Sequence, residues 1–196
     1  MRRTLMALTV ALLVGLSAST AFALTPTETV KSRVDAALQS LSQAEASERR
    51  HAEIRRAADS LFDFPEMSRR ALARHWAART PAEREEFVRL FTDLIARSYI
   101  GKIDQYAGES IAYTGERVDG DYASVRSQVV TAKGSQIPVE YRLHRVKDSW
   151  SAYDVFIENV SLVGTYRSQF DRIIKTESFA DLLRRLREKG QVAQAR

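Results

Sequence analysis

The sequence predicts an α+β domain in which one antiparallel sheet is covered by helices. Apolar residues recur at helical spacing before residue 107 and again after residue 161. Between them, residues 109–158 alternate apolar and polar side chains with the period of two that is typical of strands. The chain has 196 residues, of which 44% are hydrophobic and 28% charged. That length and composition indicate a single globular domain.

Four helices are predicted before the sheet. Thr25–Glu28 and Thr80–Glu83 each combine a capping threonine, a proline suited to the first helical turn and a glutamate three residues after the threonine. The first of these capping boxes begins an amphipathic helix, and the second begins a long helix that continues to about residue 106. Between them, a second helix ends at Phe64-Pro65, where Pro65 opens a short third helix that reaches His75.

The alternating segment predicts a four-stranded, curved antiparallel meander with one apolar face. Its first strand spans residues 110–117, and turn signals at residues 119–121, 133–135 and 147–149 separate the other three. We expect Tyr153, Val155 and Ile157 on the apolar face, with Asp154 and His144 on the solvent side. Two helices follow, with apolar stripes from Leu162 to Ile174 and from Phe179 to Leu186, and Gly190 is expected to end the second.

Residues 1–23 have the three parts of a secretory signal peptide. A cationic start, Met1-Arg2-Arg3, precedes an apolar run over residues 4–15 and a small-x-small cleavage site, Ala21-Phe22-Ala23. The run is shorter than the ~20 residues of a membrane-spanning helix, so a cleaved leader is favoured over an anchor. We expect export to the periplasm, cleavage after Ala23, and a single domain over residues 24–196 with its ordered core at about 26–190.

Charge and motifs exclude several function classes. A formal charge of +5 suggests nucleic-acid binding, but loss of Arg2 and Arg3 with the leader lowers it to +3, and no recognition motif is present. The absence of cysteine excludes disulfides, thiolate zinc sites, a cysteine nucleophile and a lipid-anchored N-terminus. His51, His75 and His144 have no metal-ligand spacing. We therefore expect no metal and no cofactor.

Asp154 is the one candidate catalytic residue that the strand pattern offers. A carboxylate in an α+β domain of this kind can act as a general base on a small hydrophobic substrate, with His144 one strand away. The favoured interpretation is structural, with Asp154 paired to an arginine of a neighbouring helix. For the apolar stripe, a filled core is the favoured interpretation. Spacing does not exclude a cavity, because the same residue types line both.

Three motifs of the sequence are specific enough to compare with known families: Phe62-Asp63-Phe64-Pro65-Glu66-Met67, the Phe87–Tyr99 run, and the long ordered motif from Tyr153 to Phe170. They resemble the motifs of the MlaC family of periplasmic phospholipid-binding proteins. The resemblance implies a monomeric carrier, not an enzyme, with an NTF2-like arrangement and a deep apolar cavity between the sheet and the helices. It also implies glycerophospholipid cargo, shuttled between an outer-membrane lipoprotein–porin complex and an inner-membrane ABC transporter with its substrate-binding MCE subunit. Such transport maintains the lipid asymmetry of the outer membrane.

The resemblance also makes part of the apolar stripe a set of candidate contacts to acyl chains. These lipid-binding candidates are Phe91, Ile95, Tyr99, Val125, Val139, Tyr141, Tyr153, Val155 and Val163. Two acyl chains need a volume near ~1,000 Å³.

Arginines cluster at residues 69–79 and 184–187, where they are either an ordinary solvated surface or a patch for anionic membranes or acidic partners. Three other functions stay open: a hopanoid-type lipid carrier, an NTF2-like enzyme using Asp154, and an envelope interaction module with a solid core.

Overall fold

A computed structural model describes residues 24–43, 47–104, 110–131 and 134–194. The helices in these ranges are α1 (Pro26–Gln43), α2 (Ser47–Leu61), α3 (Phe64–Leu72), α4 (Pro81–Asp104), α5 (Leu162–Thr176) and α6 (Phe179–Gln194), with a 3₁₀ turn at Ala73–His75 after α3. The strands are β1 (Ser110–Asp119), β2 (Tyr122–Val130), β3 (Gln136–Val146), β4 (Ser149–Ile157) and β5 (Val160–Ser161). The predicted leader, residues 1–23, lies outside the described residues.

Both predicted capping boxes form. The backbone N–H of Thr25 donates to Glu28 at 2.9 Å, and the backbone N–H of Glu28 donates back to the Thr25 hydroxyl at 3.1 Å. Thr80 and Glu83 make the same reciprocal pair at 2.8 and 3.2 Å. Each pair supplies acceptors to N–H groups that the first turn of a helix leaves unbonded, which confirms the predicted starts of α1 and α4.

The predicted α+β class is confirmed, but the predicted strand count is wrong. The sheet is antiparallel with the order β1-β2-β3-β4-β5, and the described part of the chain contains five strands. The two residues of β5 pair with the end of β4 through Phe156–Ser161 and Ile157–Val160. A two-residue strand is too short to show an alternating pattern, so the sequence gives no signal for it. The predicted end of the last helix at Gly190 is also wrong, since α6 continues to Gln194.

A bulge in β4 corrects the predicted side of Tyr153. Arg142 of β3 pairs with Asp154, whereas the next residue, Leu143, pairs with Ala152. Tyr153 is therefore an extra residue in β4, and the alternation shifts by one residue at that point. As a result Tyr153 lies on the face of the sheet that carries His144, opposite the face of Val155.

Two hydrophobic cores hold the layers together. The helical core joins α3, α4, α5 and α6 around Phe87, Phe91 and Phe170, and Val155 attaches it to the sheet. The sheet core places Val30 of α1 against Val125 and neighbouring residues of β2, β3 and β4. The sheet thus packs against α1 and α2 through one core and against α3, α4, α5 and α6 through the other. A binding site is expected where these two cores meet.

Candidate functional site

The face of the sheet that carries Val125 and Val155, called here the inner face, is built from transverse rows of paired residues. One row joins Val125, Tyr141 and Val155, and the adjacent row contains Ala123, Leu143 and Ala152. In the other direction the next rows contain Tyr113, Ser127, Val139 and Ile157, and then Ile111, Val129 and Ile137. Apart from Glu116 of β1, which pairs with Val125, and Ser127, the side chains of these rows are apolar or tyrosine.

Burial falls steadily along these rows. Ala123, Leu143 and Ala152 are buried beneath α1 and α2 in the sheet core. In the two rows farthest from them the apolar residues are only half-buried, and at that end Ser110 and Gln136 are exposed. We call this region the open half of the inner face: Ile111, Tyr113, Val129, Ile137, Val139, Tyr141 and Ile157. A set of neighbouring apolar side chains that keep accessible surface is typical of a ligand site.

Tyr141 lies where the buried half meets the open half. Burial raises the pKa of its phenol to about 12, so the group is surrounded by protein. Its side chain nevertheless keeps accessible surface, and it packs against both hydrophobic cores. Tyr141 therefore joins the two cores at the border of the open half.

The structure separates the nine predicted acyl-chain contacts into three sets. Phe91, Val125, Val155 and Val163 are buried core residues. Ile95, Tyr99, Val139 and Tyr141 are half-buried and pack against the helical core, which suits them to line a cavity. Tyr153 is also half-buried against the helical core, but the bulge turns it to the outer face, away from Val139 and Tyr141.

The sequence analysis missed part of the open half. Five of its residues are not among the predicted contacts: Ile111, Tyr113, Val129, Ile137 and Ile157. The signal was available in the alternation of β1, where Ile111 and Tyr113 are half-buried and Ala112 is exposed. The signal is weak because β1 lacks the continuous apolar pattern of β4.

Tyr153 belongs to a polar and aromatic cluster on the outer face. Its ring lies 5.8 Å from that of His144 and 6.0 Å from that of Tyr122, and the Arg70 guanidinium stacks on it at 3.8 Å. His144 in turn contacts Asp63 at 2.9 Å. These contacts attach the start of α3 to the sheet, and they explain why His144, predicted on the solvent side, is only partly exposed.

Asp154 is buried, with 8% of its surface exposed, and it has a structural role. Its carboxylate accepts hydrogen bonds from the Ser161 hydroxyl at 2.6 Å and from the backbone N–H groups of Val155 and Val163 at 2.8 and 3.0 Å. The predicted partner, an arginine of a neighbouring helix, is wrong, because the carboxylate bonds with a hydroxyl and with backbone N–H groups instead. Its predicted place on the solvent side is also wrong, because the residue is buried. The carboxylate thus joins β4 to the start of α5, where a negative charge is favourable.

Replacing Asp154 with alanine is expected to destabilise the fold by about 2–4 kcal/mol, because it leaves buried donors without an acceptor. The free energy of unfolding in urea measures this. The matched control is Asp121→Ala, an exposed carboxylate 3.6 Å from Arg145, which should cost less than about 1 kcal/mol. Equal stability of the Asp154 variant and the wild type would contradict the structural role.

Acidic neighbours pair with most of the clustered arginines. Glu66 contacts both Arg69 and Arg70, and these hydrogen bonds, that from Arg69 foremost, lower the pKa of its carboxyl. Likewise Lys175, His75 and Arg74 lower the pKa of Asp171. In α6, Arg184 pairs with Asp181 and Glu188, Arg185 with Glu177, and Arg187 with Glu86. The favoured interpretation is therefore a charged surface held by local ion pairs.

A separate pocket of about 420 Å³ lies among α4, α5 and α6. Leu94, Phe170 and Leu182 contribute apolar side chains to it, and Arg184 and Arg185 contribute charged ones. Its volume is within the range of ordinary ligand pockets and less than half of what two acyl chains need. All of its lining residues belong to helices, so it is distinct from the open half of the inner face.

Within ranges 24–43, 47–104, 110–131 and 134–194, no group of three or more His, Asp or Glu residues is placed to hold a metal ion. Over the same ranges, every helix is too short or too polar to cross a membrane.

Fold and site together define an α+β domain whose antiparallel sheet presents a partly open apolar face beneath helices. Comparison with known proteins gives the family. The family model for MlaC protein matches residues 28–188, so the chain belongs to the MlaC family, as its motifs predicted. It is also similar to the structure of a phospholipid-binding protein from Ralstonia solanacearum in complex with a phospholipid. That match has 25% sequence identity and a TM-score of 0.77, and it covers 85% of this chain and 97% of the other.

Proposed function

We propose that this protein binds glycerophospholipid and carries it through the periplasm as a diffusible complex. The open half of the inner face is the observation that carries the proposal, because it offers half-buried apolar surface at the edge of the helical core. Membership of the MlaC family and the similarity to a phospholipid-binding protein support the same cargo. The bound lipid is cargo and not a cofactor.

The energetics of a lipid carrier require an apolar, water-free site. Each methylene kept from water is worth ~0.8 kcal/mol, so acyl chains stay in the bilayer unless the protein shields them equally well. Val139, Ile157 and Ile95 present this kind of surface on opposing elements, and they all pack against the helical core. Since protein and bilayer shield the chains similarly, small changes at the docking partner determine whether lipid is loaded or released.

The route of transport is the second part of the proposal. The leader predicted at residues 1–23 supports export to the periplasm after cleavage behind Ala23. There the monomer would exchange lipid with an outer-membrane lipoprotein–porin complex and with the MCE subunit of an inner-membrane ABC transporter. The consequence for the cell is maintenance of the lipid asymmetry of the outer membrane.

The alternatives have less support. For a general base in an enzyme, Asp154 has the wrong surroundings, because Ser161, Val155 and Val163 supply donors to its carboxylate. For a module with a solid core, the residues of the open half have too much accessible surface. A hopanoid-type cargo would also fit an apolar face, and it is an outcome of the experiment below.

The test is the identity of the lipid that accompanies the protein. We expect native mass spectrometry of the chain, purified from cells that export it, to show about one diacyl phospholipid per protein. The purified protein should also accelerate transfer of a labelled phospholipid between two vesicle populations by at least about tenfold. Extraction of a hopanoid would change the cargo, and a lipid-free protein that does not accelerate transfer would contradict a carrier.

A further inference from the structure

Tyr113 holds a buried hydroxyl that has no partner. Its Oη atom is inaccessible to solvent and makes no hydrogen bond in the structure. The residue lies in β1 beside Ser127 of β2, and its ring packs against the sheet core. A buried hydroxyl without a partner costs of the order of 1–3 kcal/mol, so such groups are rare and call for an explanation.

A second phenol lies close by. Tyr141 packs against the same sheet core as Tyr113. Burial, followed by the nearby Tyr141 and Asp35, raises the pKa of Tyr113. Among the described residues, none is hydrogen-bonded to the Tyr141 hydroxyl either. Ser127, between them in the register, already donates its hydroxyl to the Val139 carbonyl at 3.3 Å. The open half therefore carries two neutral phenol donors among apolar side chains and Ser127.

The phenol of Tyr113 lies below the exposed start of β1. Tyr113 lies two residues along β1 from Ile111 and three from Ser110, where the strand begins and the surface is exposed. At about 3.4 Å per residue, the phenol row is roughly 7 Å beneath the row of Ile111. In a glycerophospholipid the acyl esters lie a comparable distance below the phosphate, and each ester carbonyl is a neutral acceptor without a donor of its own.

We infer that Tyr113 donates a hydrogen bond to an acyl ester carbonyl of the bound lipid, so that the site selects ester-linked over ether-linked chains. This inference rests on the proposed lipid-binding function and adds the linkage that the site recognises. The phenol remains neutral and can donate, and the carbonyl satisfies the hydroxyl that is otherwise unpartnered. An ether-linked lipid of the same length fills the same space but lacks the carbonyl.

The test compares two probes in one sample. The delipidated chain is incubated with an equimolar mixture of dipalmitoyl phosphatidylethanolamine and its dihexadecyl ether analogue, and native mass spectrometry measures the bound ratio. The wild type should favour the ester lipid about tenfold, the effect of one buried hydrogen bond. Tyr113→Phe should bind both lipids equally, through a loss of ester binding alone. The control is Tyr153→Phe, because Tyr153 lies on the outer face of the same sheet. This variant should keep the wild-type ratio.

Two further measurements show whether Tyr113→Phe keeps its fold and loses only the hydrogen bond. Because Tyr113→Phe removes an unpartnered buried hydroxyl, the empty variant should be at least as stable in urea as the empty wild type. The infrared band of a ¹³C-labelled ester carbonyl should lie lower in the wild-type complex than in the variant complex. Equal binding of both lipids by the wild type would overturn the hydrogen bond while leaving the carrier intact. Binding of neither lipid would overturn the carrier and this inference with it.

Discussion

Replacing Val139 with glutamate is expected to lower phospholipid occupancy at least about 100-fold. Val139 is half-buried at the centre of the open half, in the row of Tyr113, Ser127 and Ile157. A carboxylate there meets acyl chains with no cation on the inner face of its row, and burial of an unpaired charge costs several kcal/mol. Native mass spectrometry of the purified variant measures the lipid bound per chain, and far-ultraviolet circular dichroism shows whether the fold is retained.

The matched control for Val139→Glu is Gln128→Glu. Gln128 has a similar half-buried environment on β2, but its alternation with Ser127 and Val129 places it on the outer face. The same carboxylate at this position should leave lipid occupancy unchanged. If both variants lost lipid equally, charge itself would be responsible and the open half would not be the site. If Val139→Glu kept its lipid, the acyl chains would have to lie elsewhere, with the helical pocket at Leu94 and Phe170 as the next candidate.

The sequence predicts the elements of this fold well because their signals are local. A capping box needs four residues, and Thr25–Glu28 and Thr80–Glu83 form theirs as the pattern indicates. Alternation in β2 and β3 places Val125, Val139 and Tyr141 on one face, since a regular strand has a strict period of two. The MlaC motifs likewise lead to the right family, because they are contiguous in the chain.

The errors come from features that depend on tertiary contacts. The bulge in β4 adds one residue opposite β3, and nothing in the order Tyr153-Asp154-Val155 distinguishes a bulged strand from a regular one. Asp154 bonds with Ser161 and Val163 because α5 begins directly above the end of β4. A prediction from charge alone assigns it an arginine, whereas the structure supplies hydroxyl and backbone donors.

A cavity is the feature of this fold that the sequence predicts least well. The same residue types build the filled sheet core around Leu143 and the half-exposed rows around Ile137. Whether Val139 touches a neighbouring side chain or a lipid depends on the distance between the sheet and α4, which no periodicity records. The sequence does not indicate that the Tyr113 hydroxyl lacks a partner either, because this depends on the residues that surround it in the folded protein.

Removing the lipid is expected to lower the melting temperature by roughly 10 °C. A ligand that binds only the folded state stabilises it by about 4 kcal/mol at a free concentration 1,000 times its dissociation constant. For a domain of this size, each kcal/mol shifts the melting temperature by about 2–4 °C. The empty protein also leaves Ile111, Val129 and their neighbours without packing partners, which adds the cost of a cavity. Differential scanning calorimetry of lipid-loaded and delipidated protein measures the difference.

The Val139→Glu variant makes this measurement specific. Since it should not bind lipid, its melting temperature should be the same before and after incubation with phospholipid, while that of Gln128→Glu should rise like the wild type. Lipid that merely coats the outside would stabilise both variants or neither. If the wild type had the same melting temperature with and without lipid, the prediction would fail. Such a protein would have a solid core, because lipid that fills a cavity adds packing contacts to the folded state. The response to lipid thus separates a carrier from a structural module that has the same fold.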